Sequence, residues 1–375
     1  MNKLAILSVV ILLLASSCGK IDDEYKYGET PDIDWAQAAN SSTGALIAKF
    51  WNNEGYFNYG SNESDKGFQY WPNAHAMDVL VDAWERTGDA QYNAYFDKWF
   101  AGIKVKNGGD YYNEFYDDME WNGLTFLRLY NATKDDKYLS TARELWSDIE
   151  KAWNENYADG GLAWKKDMIY SKNACSNGPA AIMAARLYNI TKEEKYKEWA
   201  LKIYEWQKNT LFNRGTGAVY DNINGETGNV DMTALTYNQG TMVGAAVELF
   251  HITGDVSFLN DAQKAAYYTI TKLIDVNSNI LRNEGDGDNA LFKGIFMRYF
   301  YILLQEENLN SSYKSLFLNF FNKNAETVWL SGCFPDTFLF GSAWSTVPVG
   351  ESQLTAQASA CMLIEAKALY EKSLK

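Results

Sequence analysis

The sequence predicts an all-α protein, an (α/α)6 barrel of six helical hairpins. Two observations lead to this class. The first is a recurring connector, Thr-x-Asp or Thr-x-Glu, at residues 87–89, 133–135, 191–193 and 253–255. The second is that the helix before each connector and the helix after it differ in character. Those before a connector are small and weakly charged, whereas those after it are amphipathic and charged, so the former should be inner helices and the latter outer helices.

Each connector indicates a helix-to-helix turn, since apolar or aromatic residues precede it and acidic residues open the following segment. Extending this loose repeat gives twelve helices. They are predicted at residues 34–53, 72–88, 90–105, 118–132, 135–153, 176–190, 193–209, 237–253, 256–274, 289–305, 310–323 and 352–372. Long connectors rich in Gly, Asn and aromatic residues join the hairpins on the face where inner helices begin, so a functional site is expected there. No Pro- or Gly-rich linker interrupts residues 34–375, which should form one domain.

Composition restricts the partners. With 375 residues, of which 47% are hydrophobic and 15% aromatic, the chain can bury a large core. A net charge of −14 argues against nucleic acid and against anionic membrane surfaces. The 13 Trp and 25 Tyr side chains suit stacking on sugar rings, although a densely packed core uses aromatic residues as well.

The N-terminus has the pattern of a processing signal. Lys3 precedes an apolar stretch over residues 4–14, which is too short to cross a membrane, and Ala15-Ser16-Ser17-Cys18 follows. Small residues before Cys18 resemble the bacterial lipobox, so residues 1–17 are predicted to be a signal peptide and residues 18–33 a lipid-anchored tether. The alternative is an ordinary secretory signal cut nearby. The lipobox pattern predicts a protein held at the outer membrane, facing the cell surface or periplasm, only through its lipid. We expect the protein to be a monomer.

Metal and cofactor chemistry is not indicated. The three cysteines besides Cys18 are Cys175, Cys333 and Cys361, and none forms a CxxC pair. The two histidines, His75 and His251, lie in no HExxH-like motif. We therefore expect no metal site, no cofactor and no disulfide framework.

The adjacent residues Asp117 and Asp118 are the leading catalytic candidates. They lie where an aromatic-rich loop meets the start of a predicted inner helix. A glycosidase that retains anomeric configuration needs two carboxyl groups roughly 5 Å apart, and neighbours at a helix start can supply that spacing. The alternative is helix capping. Glu120 is expected to point off the opposite side of the helix.

Other polar and aromatic residues near inner-helix starts are candidates for sugar contacts. Aromatic rings could line sugar subsites, although such residues are often simply buried. The asparagines and the glutamine could bond sugar hydroxyls or cap helices. The candidates are Trp71, His75, Tyr116, Trp121, Trp164, Asn177, Tyr237, Asn238 and Gln239.

Four segments carry a family resemblance. They are Tyr116-Asp117-Asp118-Met119-Glu120-Trp121, Ala174-Cys175-Ser176-Asn177-Gly178-Pro179-Ala180-Ala181, Thr236-Tyr237-Asn238-Gln239-Gly240-Thr241 and Phe292-Lys293-Gly294-Ile295-Phe296. With them, the chain resembles glycoside hydrolase family 76, the endo-α-1,6-mannanases. The resemblance implies an (α/α)6 fold, an α-mannan substrate, no metal, and retaining hydrolysis with Asp117 as nucleophile and Asp118 as acid/base. Asn122 departs from the family pattern, because many members have a second aromatic residue there.

Competing functions are also compatible with this sequence. A sugar epimerase of this shape would use histidine bases, and only one of the two histidines lies on the expected functional face, which argues against that function. An inverting glycosidase would need carboxyl groups about 6.5 to 9.5 Å apart, usually from separate elements. A non-catalytic glycan-binding surface lipoprotein would need no aspartate pair at all. A cell-wall transglycosylase would share the aspartates and differ only in its products.

Overall fold

The computed structural model describes residues 32–62 and 67–374, and helices dominate these ranges. The predicted signal peptide and Cys18 lie outside the described residues. Contacts group the chain from Trp35 onwards into one unit. The described helices are α1 (Trp35–Phe50), α2 (Tyr70–Thr87), α3 (Asn93–Lys106), α4 (Tyr116–Thr133), α5 (Asp136–Ile149), α6 (Ala174–Thr191), α7 (Glu194–Thr210), α8 (Thr236–Thr253), α9 (Val256–Lys272), α10 (Asn289–Leu304), α11 (Ser311–Ser331) and α12 (Leu354–Ser373).

The even-numbered helices form a closed inner ring. Each packs against the next even-numbered helix, and α12 returns to α2. The odd-numbered helices lie outside this ring, and α5, α7 and α9 pack mainly on the inner helix that precedes them. This arrangement confirms the (α/α)6 barrel. Within the described ranges, no helix is both long and apolar enough to span a bilayer.

The four short connectors share one hydrogen-bond arrangement. At the first, the hydroxyl of Thr87 donates to the carbonyl of Ala83 at 2.7 Å and accepts the amide of Asp89 at 3.1 Å. Gly88 between them is left-handed, with φ of 69°, and ends α2. Thr133, Thr191 and Thr253 make the same pair of bonds. The connector pattern therefore encodes the helix stop and the following start together.

Several helix ends lie a few residues from their predicted positions, and for two of them the structure shows the cause. Helix α1 stops at Phe50 rather than 53, because Trp51–Asn52 pairs with Tyr56–Phe57 as a short antiparallel ladder. Helix α11 continues to Ser331, past the predicted end at 323. The cause is Asn324, which is buried and bonds the carbonyl of Phe320 at 2.8 Å rather than ending the helix.

Short strands reinforce the long connectors without changing the helical class. Besides β1 (Trp51–Asn52) and β2 (Tyr56–Phe57), a three-stranded antiparallel sheet joins connectors that precede two different inner helices. Its strands are β3 (Ser171–Asn173), β4 (Asn222–Asn224) and β5 (Asn229–Asp231). Four further strands of two residues each pair as hairpins, β6 (Ile274–Asp275) with β7 (Ile280–Leu281) and β8 (Cys333–Phe334) with β9 (Leu339–Phe340).

Candidate active site

A cleft of about 810 Å³ opens on the face where the inner helices begin. Residues from the starts of the inner helices and from the connectors before them form its walls. Its lining includes Trp71, Lys106, Glu114, Phe115, Asp117, Asp118, Trp121, Trp164, Cys175, Asp221, Tyr237, Asp288 and Phe292. The predicted location of the functional site thus contains a cavity large enough for several sugar units.

The opposite end of the barrel holds a second, smaller cavity of about 340 Å³. Buried ion pairs surround it: Arg128 and Arg298 both bond Asp82, at 2.6 and 2.7 Å, and Arg186 bonds Glu248 at 2.6 Å. The pairs with Asp82 join α2 to α4 and α10, and the Arg186–Glu248 pair joins α6 to α8. They lie at the end of the barrel away from the aspartates, so we assign them a structural role in holding the inner helices together there.

Asp117 and Asp118 occupy the first turn of α4 and line the cleft. Neither residue caps the helix. The N-cap is Phe115, which makes no side-chain capping bond. The amide of Tyr116 instead donates to the carbonyl of Trp164 at 3.0 Å. Both carboxyl groups are therefore free of the capping role and face the cavity.

The surroundings of the two carboxyl groups differ. Burial raises the pKa of Asp117, and the nearby thiol of Cys175, its own amide, the indole of Trp164 and the amide of Asp118 act in the opposite direction by favouring the anion. The Oδ1 atom of Asp117 nevertheless has no hydrogen bond of ordinary geometry among the described residues.

Burial raises the pKa of Asp118 well above its usual range, and the charges of Asp117, Asp288 and Glu114 raise it further. No neighbouring donor among the described residues opposes these effects. Two such close carboxyl groups do not ionise independently, so the first proton leaves from the better-stabilised site. These surroundings therefore favour a charged Asp117 beside a protonated Asp118.

Four of the predicted aromatic contacts line the cleft. They are Trp71, Trp121, Trp164 and Tyr237. Tyr237 stacks on Phe292 with ring centroids 3.9 Å apart, and Trp164 lies against Phe115 at 5.0 Å. Such braced rings offer flat apolar faces of the kind that pack against sugars.

His75 and Tyr116 do not line the cleft, which corrects their predicted role as direct contacts. His75 is 3% exposed and packs between Trp71 and Trp121, with ring centroids at 5.5 and 4.7 Å. Burial, followed by the charge of Arg298, lowers the pKa of His75 well below its usual value, so the ring is neutral. Tyr116 is buried as well. Both residues lie under the cleft surface and support it.

The three predicted amide contacts are corrected in the same way, because their side chains hold connectors. Asn177 accepts the amide of Leu162 at 2.8 Å, and Gln239 donates to the carbonyl of Val219 at 3.1 Å. Asn238 donates to Oδ1 of Asp221 at 2.9 Å. Only the last reaches the cleft, through a carboxylate that it orients.

Two other expectations about α4 change. Asn122 is fully buried and donates to the carbonyl of Asp118 at 2.9 Å, so it braces the first turn and does not replace a sugar-stacking ring. Glu120 does not point away from the pair. It is fully buried, three residues after Asp117, on the same side of the helix, and both carboxylates raise its pKa further after burial.

The sequence reasoning missed several lining residues. Glu114, Asp221 and Asp288 come from connectors, where no periodic pattern marks direction. Phe292 and Cys175 were visible only as members of the four family segments.

Within residues 32–62 and 67–374, no group of His, Cys, Asp or Glu side chains has the arrangement of a metal site.

Comparison with known proteins gives a consistent group of relatives. The family model described as glycosyl hydrolase family 76 matches residues 34–375. An inactive variant of the α-1,6-mannanase of Salegentibacter sp. HEL1_6, solved with α-1,6-mannotetrose, is 40% identical with a TM-score of 0.86. The match covers 90% of this chain and 99% of that chain, and two consecutive aspartates are replaced by alanine in the variant.

Further relatives extend the comparison. A Listeria innocua protein of known structure is 34% identical with a TM-score of 0.84, covering 91% of this chain and 99% of that one. The mannan endo-1,6-α-mannosidase of Candida glabrata is 28% identical over 260 residues, which is 62% of this chain. The match spans only 57% of the length of that curated relative.

Proposed function

The chain belongs to glycosyl hydrolase family 76, and from that membership we propose that it is a retaining glycoside hydrolase that cleaves α-1,6-linked mannan backbones. The observation that carries this proposal is the unequal environment of Asp117 and Asp118 on the cleft wall. One carboxyl group is surrounded by groups that favour its anion, and its neighbour is surrounded by negative charge. A retaining mechanism needs such a division into nucleophile and acid.

The proposed reaction has two steps. Asp117 attacks the anomeric carbon, the glycosidic C–O bond breaks, and Asp118 gives its proton to the departing oxygen. A covalent glycosyl-enzyme remains on Asp117. Asp118, now a carboxylate, takes a proton from water, which attacks the same carbon and releases Asp117. The second step restores both groups to their starting states.

The chemistry of the cleft supports a neutral glycan. Five of the described lining residues carry carboxyl groups, whereas Lys106 is the single lining cation among them. This charge balance repels phosphorylated or uronic-acid polymers. Braced aromatic rings remain as the main apolar surface, which fits an uncharged hexose chain.

The relatives support the same substrate. Variants of the Salegentibacter α-1,6-mannanase in which two consecutive aspartates are replaced, by alanine or asparagine, are described as inactive and were solved with α-1,6-mannotetrose and α-1,6-mannotriose. By analogy, Asp117 and Asp118 are the corresponding pair in this chain. The sugar-epimerase alternative loses support, because His75 is buried under the cleft and no histidine is among the described lining residues.

We further propose that the mature chain is a monomeric lipoprotein, acylated on Cys18 and displayed at the bacterial outer membrane. The acylation and the membrane location in this proposal rest on the lipobox pattern before Cys18. The catalytic domain, residues 34–375, would then meet mannan from a short tether. The acyl group would be its membrane anchor.

Product stereochemistry tests the mechanism. Purified protein is mixed with α-1,6-mannotetraose in deuterated buffer, and proton NMR records the anomer that appears before mutarotation. Retention predicts that the α anomer appears first. First appearance of the β anomer would require a base on another connector. Longer products than the starting sugar would instead identify a transglycosylase, and no cleavage at all would favour the glycan-binding function.

A further inference from the structure

A buried acid lies three residues after the proposed nucleophile on the same helix. Glu120 is fully buried on α4, and neither of its carboxyl oxygens has a hydrogen-bond partner among the described residues. Leaving a buried polar group without a partner is costly. The two-step reaction does not use Glu120, so it does not explain why this buried carboxyl group lacks hydrogen-bond partners.

The missing partner is one helical turn away. Side chains three residues apart on a helix are neighbours, with Cβ atoms about 5–6 Å apart, which places Glu120 beside Asp117. Oδ1 of Asp117 is also buried and also lacks a hydrogen bond of ordinary geometry among the described residues. A neutral carboxylic acid has one proton to donate, and a carboxylate oxygen only accepts. The two unmet groups are therefore complementary.

Burial and nearby charge keep Glu120 protonated. Burial raises the pKa of Glu120 well above its usual value, and the charges of Asp117 and Asp118 raise it further. No described arginine, lysine or histidine forms an ion pair with it. Among the other titratable groups nearby, the connector residues Glu114 and Asp288 raise the pKa of Asp118. The aspartate pair in turn raises the pKa of Tyr70 on α2, Cys175 on α6 and Tyr237 on α8, and Asp221 acts on the last two as well.

We propose that Glu120 is a positioning residue that, as a neutral acid, donates a hydrogen bond to Oδ1 of Asp117, directly or through one buried water molecule. The two groups are not hydrogen-bonded to each other in the structure, so the bond requires a side-chain rotation or the water molecule. The bond holds the nucleophile in place and favours its anion. This inference rests on the proposed nucleophilic role of Asp117.

Two substitutions separate bonding from packing. Glu120→Gln keeps the shape and an N–H donor, whereas Glu120→Met keeps the length and removes every donor. Leu124→Met, a conservative change at another buried position of α4, is the control for altered packing. Each purified variant is assayed on α-1,6-mannotetraose for kcat, KM and the pH dependence of kcat/KM, and circular dichroism on heating checks folding.

The expected results form one pattern. Glu120→Met lowers kcat by about tenfold or more, the effect of losing one hydrogen bond to a charged group, while KM changes little. The acidic limb of its kcat/KM pH profile moves to higher pH, because Asp117 loses a hydrogen-bond donor that favours the Asp117 anion. Glu120→Gln stays within about threefold of the unmodified enzyme, since an amide N–H replaces the donor. Leu124→Met leaves both the rate and the limb unchanged.

Opposite results would overturn the inference. Wild-type kcat and an unmoved acidic limb in Glu120→Met would show that the acid does nothing for Asp117. Equal losses in the Gln and Met variants would point to a requirement for the carboxyl group itself. If Glu120→Met fails to fold, an unshifted acidic limb in Glu120→Gln together with a tenfold loss of kcat would still reject the donor role. An unmodified enzyme inactive on the tetrasaccharide would instead defeat the proposed function.

Discussion

The indole nitrogen of Trp71 lies 3.3 Å from Oδ1 of Asp288, which joins the starts of α2 and α10 across the cleft mouth. The donated bond opposes the effect of burial, which raises the pKa of Asp288, and so favours its anion. The negative charge of Asp288 in turn raises the pKa of Asp118. Trp71 therefore acts on the proposed acid through a residue from another helix.

This chain of contacts predicts the effect of Asp288→Asn on pH dependence. Removing the charge should lower the pKa of Asp118, so that its proton is lost at a lower pH. The basic limb of the kcat/KM profile should therefore move to lower pH, with the acidic limb little changed. Asp286→Asn is the matched control, because it removes the same charge from the same connector, and Asp286 is not among the groups that raise the pKa of Asp118. A basic limb that moves equally in both variants would show only a general charge effect.

The sequence predicted the barrel because the features that distinguish inner from outer helices are present within each helix and its connector. Inner helices such as α6 and α12 are buried on nearly every side, so small and apolar residues dominate them, and the threonine connectors satisfy the helix ends. The end of α11 was not predictable in that way. Asn324 is typical of a helix stop, and only its bonds to Phe320 and to the amide of Leu281 on a distant hairpin explain why the helix continues.

The site could be predicted where it depends on helix starts. The sequence could predict Asp117 and Asp118, because their position on α4 follows from the helical repeat. Asp221 and Asp288 were not, because their directions depend on connector paths and on partners such as Asn238 and Trp71. The predicted amide contacts were wrong for a different reason. A polar residue near a helix start does not always face the cleft, and several of these side chains hold connectors instead.

A pair of glycine substitutions tests the connector design. Gly88 is left-handed, and a Cβ added there meets no atom within 4 Å, so Gly88→Ala isolates backbone strain. We expect a loss of about 1 kcal/mol in the free energy of unfolding. Gly44 lies inside α1, also without an obstructing atom, so Gly44→Ala should add about 0.5–1 kcal/mol. Urea denaturation measures both, and changes of the same sign would reject the argument.

The proposed anchor predicts a change in fractionation. Cys18→Ala removes the acylated side chain, so the protein should move from the membrane fraction to the soluble fraction. Cys333→Ala is the control, because it removes a thiol from the helical domain and leaves the lipobox intact. Mass spectrometry of the unmodified N-terminus should find the lipid on Cys18. A Cys18→Ala protein that stays in the membrane fraction would contradict the lipoprotein proposal.

The aspartate pair gives the most direct prediction of activity. Asp117→Asn and Asp118→Asn should each lower kcat on α-1,6-mannotetraose by roughly 10²-fold or more, since each removes one chemical role. Folding should persist, because neither side chain caps α4. Asp136→Asn is the matched control: it lies in the chain's other described Asp-Asp pair, on the first turn of the outer helix α5, and is exposed.

The two variants should also differ from each other. A substrate with a good leaving group needs little protonation, so an aryl α-mannoside should restore formation of the glycosyl-enzyme in Asp118→Asn. It should not do so in Asp117→Asn, which has no nucleophile. Intact mass spectrometry would detect the added sugar in the first variant alone. If the adduct forms in Asp117→Asn instead, the assigned roles are reversed, and if Asp136→Asn is as inactive as either variant, the loss reflects the fold.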